Sequence, residues 1–245
     1  MLQGKTALVT GCNRGIGKAI IEKFAKDGAN LITVTRTQST EFDDFLKSLE
    51  STYNTTVIQL HFDITDTEAM KEQVKGLIKE KTPIDILVNN AAMPHGGLFT
   101  MTSMKTIHEV FNTNLFAQME LTQFVLKVMM RAKRGSIINV GSVLGLDLPA
   151  GVSSYGVAKA ALMAWTKTLS KETGPFNVRV NAIAPGIIDT QMGAQTDEKV
   201  VAKMLESAGI KRLGTVDEVA NTVAFLASDD SQYVTGQILR VDGGI

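Results

Sequence analysis

Tyr155 and Lys159 stand four positions apart in the alanine-rich run 153–162. Four residues make about one turn of helix, so the two side chains would lie on one face. A lysine ammonium near a phenol favours the phenolate and lowers the phenol pKa, which would make Tyr155 a better proton donor near neutral pH. The same spacing also occurs on helices where the lysine is simply solvated, so the pair needs support from the rest of the chain.

Ser142 supplies the first support, because it follows the apolar run 136–140 and precedes Tyr155 by thirteen residues. Reduction of a ketone places hydride on carbon and requires a positioned acid that delivers a proton to oxygen. Ser142 can hydrogen-bond that oxygen as charge develops on it. Lys159 has a second use, because its ammonium can bind the hydroxyls of a nicotinamide ribose.

Three glycines, Gly11, Gly15 and Gly17, come directly after the apolar run 6–10 and lead into a helical pattern. Glycine allows a tight turn and a close approach of backbone to a pyrophosphate, and a helix N-terminus offers free N–H groups. The spacing is G-x-x-x-G-x-G rather than the common G-x-G-x-x-G. The strand before it and the helix after it predict a dinucleotide loop, in which Asn13 and Ile16 would also contact the cofactor.

Two arginines indicate which dinucleotide binds. In this type of fold an acidic residue at the end of the second strand bonds the ribose 2′-hydroxyl. Here that strand is followed by Arg36, and Arg14 lies inside the glycine loop. Guanidinium groups suit a 2′-phosphate, so NADP is favoured over NAD, although either arginine alone would be an ordinary surface residue.

Polar and turn residues also follow the later strands, at the edge where ligands bind in such folds. Asp63 would accept a hydrogen bond from an adenine amino group. The Pro185–Gly186 turn would bring its backbone close to the nicotinamide. Each segment could also be an ordinary turn. We predict a site because all of these segments lie at the same edge of the sheet. The further cofactor contacts expected here are Ile64, Asn90, Ala91, Pro185, Gly186, Ile188 and Thr190.

These side chains must be positioned by alternating short apolar runs and longer amphipathic stretches. The predicted strands are 6–10, 31–35, 57–62, 85–89, 136–140, 178–183 and 237–241. The predicted helices lie near 15–28, 41–53, 66–81, 102–131, 155–173, 197–209 and 215–227. This order predicts one α/β domain over 1–245, a doubly wound Rossmann-type fold whose seven-stranded, mainly parallel sheet has helices on both faces in three layers.

Composition limits the classes of function. The 245 residues carry 25 basic and 25 acidic side chains, so no long-range field would draw nucleic acid or an anionic membrane. The N-terminus has no signal-like apolar segment, and no apolar run has spanning length. One cysteine, Cys12, and three scattered histidines argue against a disulfide or a metal cluster. We therefore expect a cytoplasmic protein with no metal, no nucleic acid and no membrane partner.

The segment 102–131 is apolar around more of its circumference than one sheet contact can bury. A helix apolar on more than one face needs a second partner. The alternative is a helix deep in a large core, but a helix in the outer layer of a doubly wound sheet favours a subunit interface. The segment thus predicts a homo-oligomer.

Taken together, seven motifs in order resemble the short-chain dehydrogenase/reductase family over essentially the whole chain: TGCNRGIG, NNAA, NTNL, the serine of GSV, YGVAK, NAIAPG and VTGQILRVDGG. The resemblance implies Ser142, Tyr155 and Lys159 as the catalytic set. It also implies that Asn114 sustains a helix distortion and a water-linked proton relay to the lysine. A homotetramer paired through long helices is implied as well.

Within this family the sequence looks most similar to 3-oxoacyl-acyl-carrier-protein reductases, although Ala92 replaces a usual glycine. One carrier-docking basic position is retained near Lys133 and Arg134, whereas the other falls at Phe176. The region 189–212 should form a substrate lid, where such enzymes differ.

The leading hypothesis is NADPH-dependent reduction of a 3-oxoacyl thioester, with acyl carrier protein as a candidate partner. The same chemistry on a sugar, steroid or other small ketone is the second hypothesis. A non-catalytic cofactor-binding scaffold is the third.

Overall fold

The computed structural model describes residues 1–191, 193 and 198–245. The strands are β1 Thr6–Thr10, β2 Asn30–Thr35, β3 Val57–His61, β4 Ile86–Asn89, β5 Gly135–Val140, β6 Val178–Pro185 and β7 Ile238–Val241. The α-helices are α1 Gly15–Lys26, α2 Thr40–Tyr53, α3 Thr67–Lys79, α4 Met104–Phe111, α5 Ala117–Ala132, α6 Leu144–Asp147, α7 Tyr155–Thr173, α8 Glu198–Ser207 and α9 Val216–Ala227.

The seven strands form one sheet in the order β3-β2-β1-β4-β5-β6-β7, and every pairing is parallel. Leu8 of the central strand β1 is in register with Ile32 on one side and Leu87 on the other. The strand order reverses between β1 and β4. In open parallel sheets this switch point opens a crevice at the carboxyl ends of the strands, which is where ligands bind.

Helices cover both faces of the sheet, and each face has its own apolar core. Alternate residues of β1 point to opposite faces, so Val9 packs with Phe24 and Val223 while Leu8 packs with Val74 and Val125. The first core lies beneath α1, α2 and α9, and the second beneath α3, α5 and α7. The predicted doubly wound, three-layer α/β fold is therefore confirmed.

Local sequence signals fix several helix ends. Ser39 and Asp66 cap α2 and α3 by accepting from the amides of Phe42 and Ala69, at 3.3 and 3.0 Å. Thr215 and Glu218 form a reciprocal capping box at the start of α9. These caps place the helix starts within about two residues of the predicted positions.

The predicted helix 102–131 differs from the structure in one respect. A 3₁₀ turn, Phe99–Met101, precedes it, and a π-helical turn, Asn112–Phe116, separates α4 from α5.

All seven predicted strands are present, but α6 was not predicted, because four residues carry too little periodicity. Among the residues that the structure describes, no helix is both long enough and apolar enough to span a bilayer.

Candidate functional site

The glycine loop between β1 and α1 has the backbone that its sequence predicts. Gly11 and Gly15 have φ angles of +64° and +53°, where side chains are strained. A Cβ on Gly11 would lie 2.8 Å from Ala91 Cα, and one on Gly17 would collide with the Gly11 carbonyl oxygen. The loop therefore needs glycine at these positions, and it leaves the first amides of α1 facing the switch point.

Hydrogen bonds between the ends of β1 and β4 hold this loop in place. Asn90 Nδ2 donates to the carbonyl oxygens of Thr10 and Gly11, both at 2.9 Å. Thr10 Oγ1 accepts from the amides of Asn90 and Ala91, both at 3.0 Å. The side-chain amide of Asn90 thus braces the loop.

Cys12 beside it is fully buried, and burial raises the pKa of its thiol to about 12, which makes it a packing residue.

The two arginines predicted to select the cofactor lie on the surface at this end of the sheet. Arg14 immediately precedes α1, and its guanidinium donates to Gln191 Oε1 at 2.9 Å. Arg36 follows β2 and lies close enough to Asp63 to act on its charge. Hydrogen bonds from Thr65 are the main cause that holds the pKa of Asp63 below its usual range, so this carboxylate is an ionised acceptor.

Hydrogen bonds to β6 hold the turn that carries Ser142. Gly141 N donates to Ile183 O at 2.8 Å, and Val143 N donates to Pro185 O at 3.0 Å. The Ser142 hydroxyl accepts from the amide of Leu144 at 3.2 Å and faces Tyr155, the first residue of α7. Pro185, predicted to meet the nicotinamide, therefore also supports the turn that carries Ser142.

Tyr155 and Lys159 lie on one face of α7, as their spacing predicts, but their electrostatics differ from the expectation. Burial raises the pKa of Tyr155, and the Ser142 hydroxyl only partly opposes this rise. Lys159 Nζ donates to Val140 O at 2.7 Å and lies 5.9 Å from the Tyr155 ring centroid. Burial also lowers the pKa of Lys159 to about 7. Its charge is therefore weakened and directed at a carbonyl rather than at the phenol oxygen.

Asn114 lies at the centre of the π-helical turn and is fully buried. Its Nδ2 donates to Met93 O at 2.8 Å and to Val110 O at 2.9 Å, while its Oδ1 accepts from Met93 N at 3.1 Å. The side chain therefore satisfies a carbonyl released by the π turn and clamps the segment after β4.

Gln118 was missed by the sequence analysis. It lies four positions after Asn114, and its Nε2 donates to Ala91 O at 2.7 Å. It is fully buried, and its Oε1 has no partner within the described part of the chain. The i, i+4 spacing from Asn114 was the available signal, since it places both amides on one helix face. Gln118 thus holds the segment after β4 at Ala91, two residues before Met93, where Asn114 holds it.

The segment after β6 approaches the glycine loop. A Cβ on Gly15 would lie 3.6 Å from Thr190 Cγ2, and Gly193 N donates to Thr190 Oγ1 at 3.0 Å. Ile188 forms a parallel bridge with Gly214, which closes the base of the segment. The predicted lid 189–212 falls partly on 192 and 194–197, which lie outside the described residues. Its remaining part contains α8.

Two further long-range contacts were not predicted. His95 Nδ1 lies 2.8 Å from Ser154 Oγ, one residue before Tyr155. Arg240 of β7 binds both carboxylate oxygens of Asp147 on α6, each at 3.0 Å. Sequence offers no signal for either pair, because 59 and 93 positions separate the partners.

The parallel sheet, the glycine cradle at its switch point and the polar groups along its carboxyl edge define a Rossmann-type α/β protein. The family model described as enoyl-(acyl carrier protein) reductase matches residues 11–245. The chain belongs to the short-chain dehydrogenase/reductase family.

Curated relatives match the full chain. The 3-oxoacyl-[acyl-carrier-protein] reductase FabG of Chlamydia trachomatis is 36% identical over 245 residues, which cover 100% of this chain and 98% of that protein. The protein of the same name from Thermotoga maritima is 37% identical over 244 residues, with 100% and 98% covered. The structure of L-sorbose reductase from Gluconobacter frateurii, complexed with NADPH and L-sorbose, is 30% identical. Its TM-score is 0.90, and 99% of this chain and 97% of that chain are covered.

Proposed function

We propose that this protein is an NADPH-dependent reductase that converts the ketone of a 3-oxoacyl thioester to a secondary alcohol. The observation that carries the proposal is the meeting of Ser142 and Tyr155 at one edge of the sheet, with Lys159 buried one turn behind. Two hydroxyl groups on one side of a crevice suit a carbonyl oxygen. The nicotinamide cofactor would supply the hydride.

The described residues fit a dinucleotide. The positive φ of Gly11 and Gly15 and the close packing of Gly11 and Gly17 against protein backbone give the tight loop that a pyrophosphate needs, and the first amides of α1 favour that group. Asp63 is an ionised acceptor for an adenine amino group. Arg14 and Arg36 supply charge for a 2′-phosphate, which supports NADP over NAD. The remaining proposed contacts are Asn13, Gly15, Ile16, Ile64, Asn90, Ala91, Tyr155, Lys159, Pro185, Gly186, Ile188 and Thr190.

The catalytic roles follow from the polar groups at the edge. Ser142 would hydrogen-bond the substrate oxygen, and Tyr155 would deliver a proton to it. The raised pKa of Tyr155 keeps the phenol protonated before reaction, so the donor is in its correct form. Lys159 would hold ribose hydroxyls and, with its pKa near 7, accept or release a proton behind Tyr155. Asn114 would sustain the helix distortion and a water-linked proton relay to the lysine, and it holds the segment after β4 at Met93.

Delivery of the thioester by an acyl carrier protein is a separate part of the proposal. Lys133 is exposed at the left-handed end of α5. Arg134 beside it is already paired with Asp85 at 2.9 Å, and Phe176 occupies the second docking position. An apolar residue at the second docking position favours weak docking, so thioesters of a small thiol and of the carrier should react at similar rates.

The proposed assembly is a homotetramer of single-domain subunits in the cytoplasm. Met104 of α4 and Phe116 of the π-helical turn are 57% and 55% exposed. Both belong to the segment 102–131, which was predicted to lie in a subunit interface. Phe225 of α9 and Leu239 of β7 are exposed on another side of the molecule, at 37% and 41%. Two separate apolar faces fit a tetramer with two kinds of interface.

A sugar-type ketone is the second candidate substrate. It is supported by the 30% identity and 0.90 TM-score to a structure named for L-sorbose reduction with NADPH. The chemistry at Ser142 and Tyr155 would be the same, and only the pocket wall would differ.

A substrate panel tests these alternatives. Purified protein with NADPH is assayed against acetoacetyl and crotonyl thioesters, L-sorbose and simple ketones. The proposal expects the 3-oxo thioester to give the highest kcat/KM with NADPH, and no reduction of the crotonyl double bond. A preference for sorbose would favour the sugar reductase, and no turnover with cofactor binding retained would favour the non-catalytic scaffold.

A further inference from the structure

The loop that follows β4 is fastened to the catalytic elements at both ends. Asn114 holds Met93 through two hydrogen bonds of 2.8 and 3.1 Å, and Gly97 N donates to Gly151 O at 2.8 Å. His95 lies between these two attachments and contacts Ser154. The position of His95 relative to Tyr155 is thus fixed from three sides.

The contact between His95 and Ser154 determines which imidazole nitrogen carries the proton. Ser154 is 1% exposed, and in the described part of the chain His95 Nδ1 is the hydrogen-bond partner of its hydroxyl, at 2.8 Å. If Nδ1 carried the proton, the buried serine proton would lack an acceptor, which is costly. The serine therefore donates to Nδ1, and the neutral ring carries its proton on Nε2.

The other edge of the ring is left open. His95 is half-buried and is followed by Gly96 and Gly97. A Cβ at Gly97 would lie 3.4 Å from His95 Cε1 and 4.0 Å from Nε2, so a residue without a side chain lies next to this edge of the ring. Within the described residues Nε2 makes no hydrogen bond, so the ring that contacts Ser154, the residue before Tyr155, holds a fixed donor without a protein acceptor.

We infer that His95 is a specificity-determining residue whose Nε2–H donates to a second oxygen of the substrate. This inference rests on the proposed function. A 3-oxoacyl thioester carries its thioester carbonyl two carbon atoms from the ketone that Ser142 and Tyr155 bind. His95 holds that second carbonyl, and a simple ketone, which lacks it, gains nothing from the contact.

Two substitutions separate substrate binding from a structural role. In His95→Gln the amide nitrogen can take the place of Nε2 as a donor, whereas in His95→Asn the amide oxygen can take the place of Nδ1 as the acceptor for Ser154. Each variant is assayed with an acetoacetyl thioester and with a methyl ketone of matched length. NADPH affinity, measured by fluorescence titration, checks that the cofactor site is intact.

For the thioester, we expect kcat/KM to fall about tenfold in His95→Asn and to be largely restored in His95→Gln, with the methyl ketone little affected in both. The opposite ranking, or equal losses on both substrates, overturns the inference while the proposed function stands. A wild-type enzyme that shows no preference for the thioester overturns the proposed substrate and the role of His95 together.

Discussion

Lys159 Nζ donates to the carbonyl oxygen of Val140 at 2.7 Å, on the strand that leads to Ser142. The lysine therefore joins α7 to the end of β5, and it lies over the Tyr155 ring rather than at its hydroxyl. Two ionisable groups buried one turn apart both favour their neutral forms, because burial raises the tyrosine pKa and lowers the lysine pKa. The pair thus holds one proton on the phenol before substrate arrives.

Removal of the Tyr155 hydroxyl should abolish turnover but not cofactor binding. We expect Tyr155→Phe to lower kcat by about 10²- to 10⁴-fold, because the positioned acid is lost. NADPH affinity should fall far less than kcat, because Tyr155 is one of many proposed cofactor contacts. Tyr53→Phe, at the end of α2, serves as the control and should keep full activity. Wild-type turnover in Tyr155→Phe would falsify the assignment of the proton donor.

The buried lysine predicts how stability depends on pH in the absence of cofactor. The pKa of Lys159 falls from 10.5 to about 7 on folding, so between these values the unfolded chain binds more protons than the folded one. The free energy of unfolding should therefore rise with pH, by up to about 1.4 kcal/mol per pH unit. Urea unfolding between pH 7 and 9 measures this slope.

The window from pH 7 to 9 also avoids the titration of Cys12, whose effect on stability opposes that of Lys159. Cys12, whose pKa rises from 9.0 to about 12, would make stability fall with pH only above about 9. Lys159→Met should flatten the slope between pH 7 and 9, whereas Lys167→Met, at an exposed position of α7, should leave it unchanged. An unchanged slope in Lys159→Met would show that another group titrates.

Charge reversal at Arg36 should alter the choice of cofactor. Arg36→Glu removes a cation proposed to meet the 2′-phosphate, so kcat/KM with NADPH should fall by about 10- to 100-fold while the value with NADH changes little. Lys47→Glu, an exposed position on α2, controls for the change in net charge. Equal losses with both cofactors would exclude the proposed role of Arg36.

Loss of the Gln118 amide should loosen the cofactor loop. Gln118→Leu leaves Ala91 O without its 2.7 Å donor, which should cost about 1–3 kcal/mol of stability and weaken NADPH binding. Thr122 is the matched control, because it is buried one turn further along α5 and bonds Asn89 instead of Ala91. If Thr122→Val weakens NADPH binding as much as Gln118→Leu does, the effect is general destabilisation.

The sequence determined the fold to a large extent, because its signals are local. Apolar strand runs, capping residues such as Ser39 and Asp66, and the glycines of the first turn each act within a few positions. The alternation of strands and helices then left little choice but a doubly wound parallel sheet. The placement of Gly11 and Ser142 at one edge also follows, since the carboxyl ends of parallel strands share an edge.

Only the tertiary structure decided the electrostatics and the supporting contacts. The spacing of Tyr155 and Lys159 gave their common face, but burial reversed the expected shift of the tyrosine pKa. The π-helical turn depends on Asn114 meeting Met93, and His95 finds Ser154 across 59 positions. Desolvation and long-range hydrogen bonds depend on what surrounds a side chain in three dimensions, and no local pattern of residues encodes that.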